Sequence, residues 1–142
     1  MKTAERMRRI KPSATVALTG RVAALRAQGH EIIGLGAGEP DFDTPTHIAE
    51  AGIAAIRSGL TRYTPVGGIP ELRDAIIAKF RRQNAIEYDR SQVLVSSGAK
   101  QTIYNLMMTV LDPGDEVVIP APYWVSYPDM ACLADGVPVT PY

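Results

Sequence analysis

Val93–Leu111, VLVSSGAKQTIYNLMMTVL, is the stretch on which the fold turns. Its first three residues, Val93-Leu94-Val95, form the brief apolar run expected of a buried strand. Ser96-Ser97-Gly98-Ala99 is a small-residue turn, and a helix is expected next, with Ile103, Leu106, Met107 and Val110 on one face. At a helix start the first N–H groups have no partner within the helix and add to the positive end of its dipole. Such a site suits an anion, typically a phosphate, and small residues let it approach the backbone closely. Lys100 lies in that first turn. A cation there costs about 0.3–1 kcal/mol, and a bound anion removes the conflict. The plainer alternative is a solvated lysine beside an ordinary strand–helix turn.

Downstream, Asp112-Pro113-Gly114-Asp115 reads as a turn and Glu116–Pro120 as a second buried strand. Ala121-Pro122-Tyr123-Trp124 leaves that strand for a helix expected to reach about Leu133. Val137–Thr140 has the pattern of a third strand. Strands alternating with helices from Gln92 onward imply an α/β fold with a parallel sheet. Ligands of such sheets sit beyond the carboxyl ends of the strands, where Ser97–Lys100 and Tyr123-Trp124 are expected. A phosphate nest beside an aromatic face suits a planar, phosphorylated cofactor. An indole stacked on such a ring contributes about 1 kcal/mol beyond its buried area. A core or interface aromatic is the other reading of Trp124.

Upstream, Met1–Ile10 is polar and reads as a mobile arm. Pro12 and Ser13 open a helix with the apolar stripe Ala14, Leu18, Val22 and Leu25, ended by Gly29. Glu31–Leu35 is expected as a short strand. Residues 34–45, GLGAGEPDFDTP, form a shaped loop. Its Gly34-Leu35-Gly36-Ala37-Gly38 run is not a dinucleotide fingerprint, because Glu39-Pro40-Asp41 supplies neither the third glycine nor an immediate helix. Thr44 is expected to cap the next helix, with Pro45 at its first position, Ile48, Gly52 and Ile56 on one face, and Gly59 at its close. Thr61–Gly68 is an irregular loop with Tyr63 near its middle. Pro70 starts a third helix with Leu72, Ile76 and Phe80 inward, and Arg73, Lys79, Arg81 and Arg82 on a solvated face.

The 142 residues are 46% hydrophobic, enough for one core. Fifteen basic residues balance fifteen acidic ones, so nothing points to nucleic acid or a membrane surface. A single cysteine, Cys132, excludes an internal disulfide and a cysteine-rich metal site. The basic N-terminus is followed by no apolar signal core, and no apolar run is long enough to span a bilayer. The expected location is the cytoplasm.

Three long motifs carry a family resemblance: Ala37–Pro45 (AGEPDFDTP), Tyr63–Arg73 (YTPVGGIPELR) and Pro120–Pro128 (PAPYWVSYP). In this order they resemble the class I pyridoxal-phosphate aminotransferases, and most of all the bacterial aspartate and aspartate/prephenate branch. The resemblance implies a partial fold-type I transferase, a three-layer α/β/α arrangement with a mostly parallel sheet in its large domain. Residues 1–46 would form the N-terminal arm and a small-domain segment, and residues 47–142 the first part of the large cofactor-binding domain. It further implies that Gly98, Ala99 and Lys100 hold the cofactor phosphate and that Trp124 stacks on the pyridine ring and lies against the substrate. By the same resemblance, Tyr63 reaches across a homodimer to the neighbour's phosphate, though alone it reads as a loop tyrosine packing on its own subunit. Gly38 would meet the substrate carboxylate through its N–H, and Lys11, otherwise a solvated arm lysine, would help accept a dicarboxylic substrate.

The departure from the family pattern is large. A transaminase needs a lysine that forms a Schiff base with the cofactor, an acid at the pyridine nitrogen and an arginine fork for the substrate. In the family all three follow the position matching Tyr142. The lysines here are Lys2, Lys11, Lys79 and Lys100, and none suits the Schiff-base role. The expectation is an N-terminal third of an enzyme of about 400 residues, more than one domain of ordinary size, acting on amino and 2-oxo acids, with aspartate and 2-oxoglutarate leading. The chain alone is expected to be inactive and to expose apolar surface. A carbon–sulfur lyase of the same fold and a non-catalytic truncated product are the alternatives.

Overall fold

The structure is a computed structural model that describes residues 2–36 and 38–142. Met1, at the start of the expected arm, and Ala37, within the glycine-rich loop and its motif, lie outside the described residues. The chain divides into two compact units, one formed by Met1–Glu39 with Lys100–Tyr142 and the other by Pro40–Ala99.

In the first unit the N-terminal segment is not a loose arm. Glu5–Arg8 makes a 3-10 turn, and Arg9 Nη2 bonds to Asp135 Oδ1 at 2.5 Å. The polarity that suggested a mobile arm instead supplies the charge that ties it down. Helix α1 spans Ala14–Ala27 and starts as its sequence demands, with Ser13 Oγ accepting from the Val16 N–H at 3.4 Å. At its other end the His30 N–H donates to the Leu25 carbonyl, 3.1 Å away.

The strand expected at Glu31–Leu35 does not form. No described segment pairs with it, Ile33 and Leu35 are 87% and 93% exposed, and the Ile32 carbonyl accepts instead from Arg26 Nη2 at 2.9 Å. Apolar β-formers make a strand only where a second backbone supplies the ladder.

Helix α4 (Ala99–Val110) leads through the Asp112–Asp115 turn into β1 (Glu116–Val118), then α5 (Ser126–Leu133) and β2 (Val137–Val139). The turn closes through Asp115 N–H to the Asp112 carbonyl at 3.1 Å and Asp112 N–H to Asp115 Oδ2 at 2.8 Å. The strands are parallel, with Glu116 opposite Val137 and Val118 opposite Val139. Pairing continues past them, from Ile119 N–H to the Val139 carbonyl at 2.8 Å and from Ala121 N–H to the Pro141 carbonyl at 3.0 Å. Ile119, Ala131 and Ala134 are buried beneath this strand–helix–strand unit. The Ala121–Pro122 peptide is cis.

The second unit carries α2 (Thr46–Arg57) and α3 (Pro70–Asn84). Thr44 does not cap α2. Pro45 occupies the cap position, and its carbonyl accepts from the Ile48 and Ala49 N–H groups at 2.9 and 3.1 Å. Pro70 takes the first turn of α3 as expected.

Arg73 is not part of a solvated face. It turns inward, donates to the Arg90 carbonyl through Nη2, and keeps its Nε buried. Arg90 in turn holds Asp74, through Nε at 2.8 Å and through Nη2. Val93–Val95 is extended but forms no ladder, since its backbone bond runs from Val95 N–H to the Gly67 carbonyl of a loop at 3.1 Å. Gly68, at φ 97°, lets Val95 in: a Cβ there would stand 2.5 Å from Val95 Cγ2. Among the described residues no helix is long and apolar enough to cross a membrane.

Candidate functional site

The turn before α4 is built as its residues predict. Gly98 has φ 89°, a left-handed backbone that an L side chain resists, and its N–H donates to the Ser96 carbonyl at 2.9 Å. No atom lies within 4 Å of a Cβ built on it, so backbone conformation and not crowding calls for glycine there. Ala99 opens the helix, and both residues are exposed.

Lys100, one residue into α4, sends its ammonium over the Trp124 ring, 5.3 Å from the centroid. The pair joins the start of α4 to the segment that leaves β1, within the first unit. Trp124 is held from behind, where its carbonyl accepts from the Tyr127 N–H at 3.1 Å, and its side chain stays 43% exposed.

Two hollows of the first unit meet at Trp124. One is a cleft lined by Thr15, Val16, Thr19 and Gly20 of α1 together with Gly38. The other is an apolar groove between α4 and β1, with Ile103, Met107, Val117 and Tyr127 in its walls. The site therefore presents a cation, an open aromatic face and a hydroxyl-bearing helix flank. Such a set can hold a flat ring with an anionic group.

Of the residues singled out in the sequence, Lys100, Trp124 and Gly38 come together in this way. Gly38 is exposed, and no atom lies within 4 Å of a Cβ built on it. Lys11 is exposed, in the stretch between the 3-10 turn and α1, and does not line the cleft. Tyr63 belongs to the second unit, where it is fully exposed beside a hollow shared with Thr61 and Arg62. Sequence reasoning missed the flank Thr15, Val16, Thr19 and Gly20. Its signal is two i, i+4 pairs of residues beside the Leu18 stripe, a pattern that also reads as an ordinary polar helix face.

The chemistry of this set fits part of a pyridoxal phosphate. Lys100 suits its phosphate, and the Trp124 face suits its ring. It does not supply an amine for the aldehyde. Lys79, in the second unit, sits 4.8 Å from the Phe80 centroid and bonds Asn84 Oδ1 at 2.9 Å. Lys100 is committed to the indole, and Lys2 and Lys11 are solvated.

Comparison with known proteins bears on the same residues. Residues 30–142 match the family described as aminotransferase class I and II. An aspartate/prephenate aminotransferase of Nitrosomonas europaea is 58% identical over 139 residues, which are 98% of this chain and 35% of that protein. An aspartate aminotransferase of Geobacillus stearothermophilus is 53% identical over the same shares of the two chains. Among solved structures, the aspartate aminotransferase of Thermus thermophilus with maleate superposes with a TM-score of 0.93 at 48% identity, over 99% of this chain and 37% of that one. That of Rhizobium meliloti gives 0.92 at 46% identity, over 99% and 35%. The chain spans about a third of the length of these relatives.

Proposed function

The chain belongs to the class I and II aminotransferase family, and on that premise we propose that it supplies the N-terminal part of a pyridoxal-phosphate enzyme that moves an amino group between aspartate and 2-oxoglutarate. The observation that carries this reading is the close identity, over nearly the whole chain, to relatives named for aspartate. The Thermus relative was solved with maleate, a four-carbon dicarboxylate, which favours a dicarboxylic substrate here too.

The cofactor, when bound, would supply the electron sink for chemistry at the substrate Cα. The residues of this chain would bind and orient. Gly98 would shape the turn, Ala99 would offer its backbone N–H at the helix start, and Lys100 would offer an ammonium, toward the phosphate. Trp124 offers its indole face to the ring and a wall to the substrate. Gly38 offers its N–H to one substrate carboxylate, and Lys11 lies on the segment that could meet the second. Tyr63, fully exposed, is free to reach a second copy of the chain in a homodimer. Residues 1–46 would serve as arm and small-domain segment and residues 47–142 as the beginning of the cofactor-binding domain, in an enzyme of the cytoplasm.

Trp124 is the chain's single tryptophan, so its emission tests the reading. Titration of the 142-residue chain with pyridoxal phosphate should quench Trp124 saturably and reversibly, with no steady glutamate formation from aspartate and 2-oxoglutarate. The polypeptide extended to the length of its relatives should form glutamate. Absence of saturable quenching, together with an inactive extended polypeptide, would refute the assignment.

A further inference from the structure

The N-terminal segment ends in one long-range ionic contact. Arg9 Nη2 meets Asp135 Oδ1 at 2.5 Å, across 126 positions of sequence. Asp135 is a firm anchor, held in the left-handed region at φ 63° in the turn between α5 and β2. Its N–H donates to the Cys132 carbonyl at 3.2 Å, and its carbonyl accepts from the Gly114 N–H at 3.0 Å. The 3-10 turn Glu5–Arg8 lies against α5 beside this anchor.

Only four residues, Ile10–Ser13, separate Arg9 from the first residue of α1. The five Cα–Cα steps from Arg9 to Ala14 span at most roughly 18 Å, so holding Arg9 limits where α1 can begin. The first turns of α1 are the Thr15, Val16, Thr19 and Gly20 wall of the cleft that Trp124 and Gly38 complete. Both members of the pair remain reachable by solvent, with side chains 46% and 34% exposed. Mobile ions therefore compete with the contact.

We propose that the Arg9–Asp135 pair is a salt-sensitive latch that positions the first turns of α1 against Trp124 and sets how far the Trp124 cleft stands open. Arg9 and Asp135 are positioning residues: they touch neither the cleft nor Trp124 and act on it through the leash into α1. The inference does not depend on the proposed enzymatic activity, because it is read from this chain and is tested without ligand.

Asp135→Asn isolates the charge, since asparagine tolerates the left-handed backbone about as well as aspartate. Arg9→Gln removes the other partner. Limited trypsinolysis at low ionic strength, followed by mass spectrometry, reads docking through cleavage after Arg8. Acrylamide quenching of Trp124 reads the opening of the cleft. In each variant, cleavage after Arg8 should rise about two- to fivefold, the scale of an exposed ion pair, and Trp124 quenching should rise with it. Cleavage after Arg57 and Arg62, in the second unit, should not change. The double variant should cleave no faster than either single one. Added sodium chloride at 0.5 M, roughly the range in which the screening length falls to a few ångströms, should raise the rate of the unaltered chain toward that of the variants and leave the variants unmoved. Equal cleavage after Arg8 in all three proteins would overturn the latch. So would unchanged Trp124 quenching, or a rise shared with Arg57, which would report general loosening.

Discussion

The Lys100 ammonium stands over the face of Trp124, 5.3 Å from the ring centroid. Neither residue is buried, so the contact orders two side chains that solvent would otherwise leave mobile. Lys100→Met should keep most of the aliphatic length, remove the charge, and shift both the emission maximum and the near-ultraviolet dichroism of Trp124. Lys100→Arg should keep them, because a guanidinium also sits well on an indole. Pyridoxal-phosphate affinity of the chain should fall on the order of tenfold in Lys100→Met and much less in Lys100→Arg. Identical Trp124 spectra in Lys100→Met and the unaltered chain would show that the contact does not order the ring.

Gly98 and Gly68 share a left-handed backbone but differ in their surroundings. Around Gly98 a Cβ meets nothing within 4 Å, whereas at Gly68 it meets Val95 Cγ2 at 2.5 Å and Val95 Cβ at 2.7 Å. Gly98→Ala should therefore cost only the backbone term, about 1–2 kcal/mol. Gly68→Ala adds overpacking, about 1–3 kcal/mol more. Denaturant unfolding of the two variants checks the order, and a Gly98→Ala variant as unstable as Gly68→Ala contradicts it.

Gly38 separates function from stability. Nothing crowds a Cβ there, and its φ lies outside the left-handed region. Gly38→Ala should leave the unfolding midpoint unchanged, within about 0.5 kcal/mol. A weaker dicarboxylate affinity in that variant, in the extended polypeptide, would then belong to the site. A large drop in stability would remove Gly38 from consideration as a binding residue.

The bond from Arg90 to Asp74, followed by the charge of that guanidinium and then that of Arg73, holds the Asp74 carboxyl below the ordinary carboxylate range despite an opposing desolvation effect. A carboxylate whose folded pKa is depressed adds stability that is fully present above its unfolded pKa, about 3.9, and is lost as pH falls through the lower folded value. Asp74→Asn should thus lower the melting temperature at neutral pH. The gap between variant and unaltered chain should close as the pH is taken below about 4. A gap of constant size through that range would assign the effect to packing and not to charge.

Helices α1, α3 and α4 were legible because each carries its own boundary chemistry: Ser13 before α1, Pro70 at the start of α3, Gly98 ahead of α4. The β1–β2 pair was legible too, since Val117 and Pro138 meet across a short connection that holds its own helix. Glu31–Leu35 and Val93–Val95 have equally apolar sequences, yet neither has a ladder among the described residues. What they lack is a property of a neighbouring backbone and is not written in their side chains. Lys100 and Trp124 were found separately, each from local chemistry, but their contact depends on how α4 and the segment after β1 pack. Arg9 and Asp135 were invisible as partners for the same reason, being 126 positions apart. The family profile and the Thermus superposition agree with the aminotransferase resemblance carried by the three motifs.

Among the described residues all four that are buried, Ile119, Ala131, Ala134 and Gly136, fall between the end of β1 and the start of β2. Residues that pair across the two strands, such as Glu116 and Val137, are only 21 positions apart (137 minus 116). Closing so short a loop costs little chain entropy, and local contacts form early. The stretch from Glu116 to Val139 therefore carries its own small core, while α1, α2 and α3 have no buried residue of their own. In hydrogen exchange, the amides of Ile119 and Val137 should be the last of the chain to yield their protons.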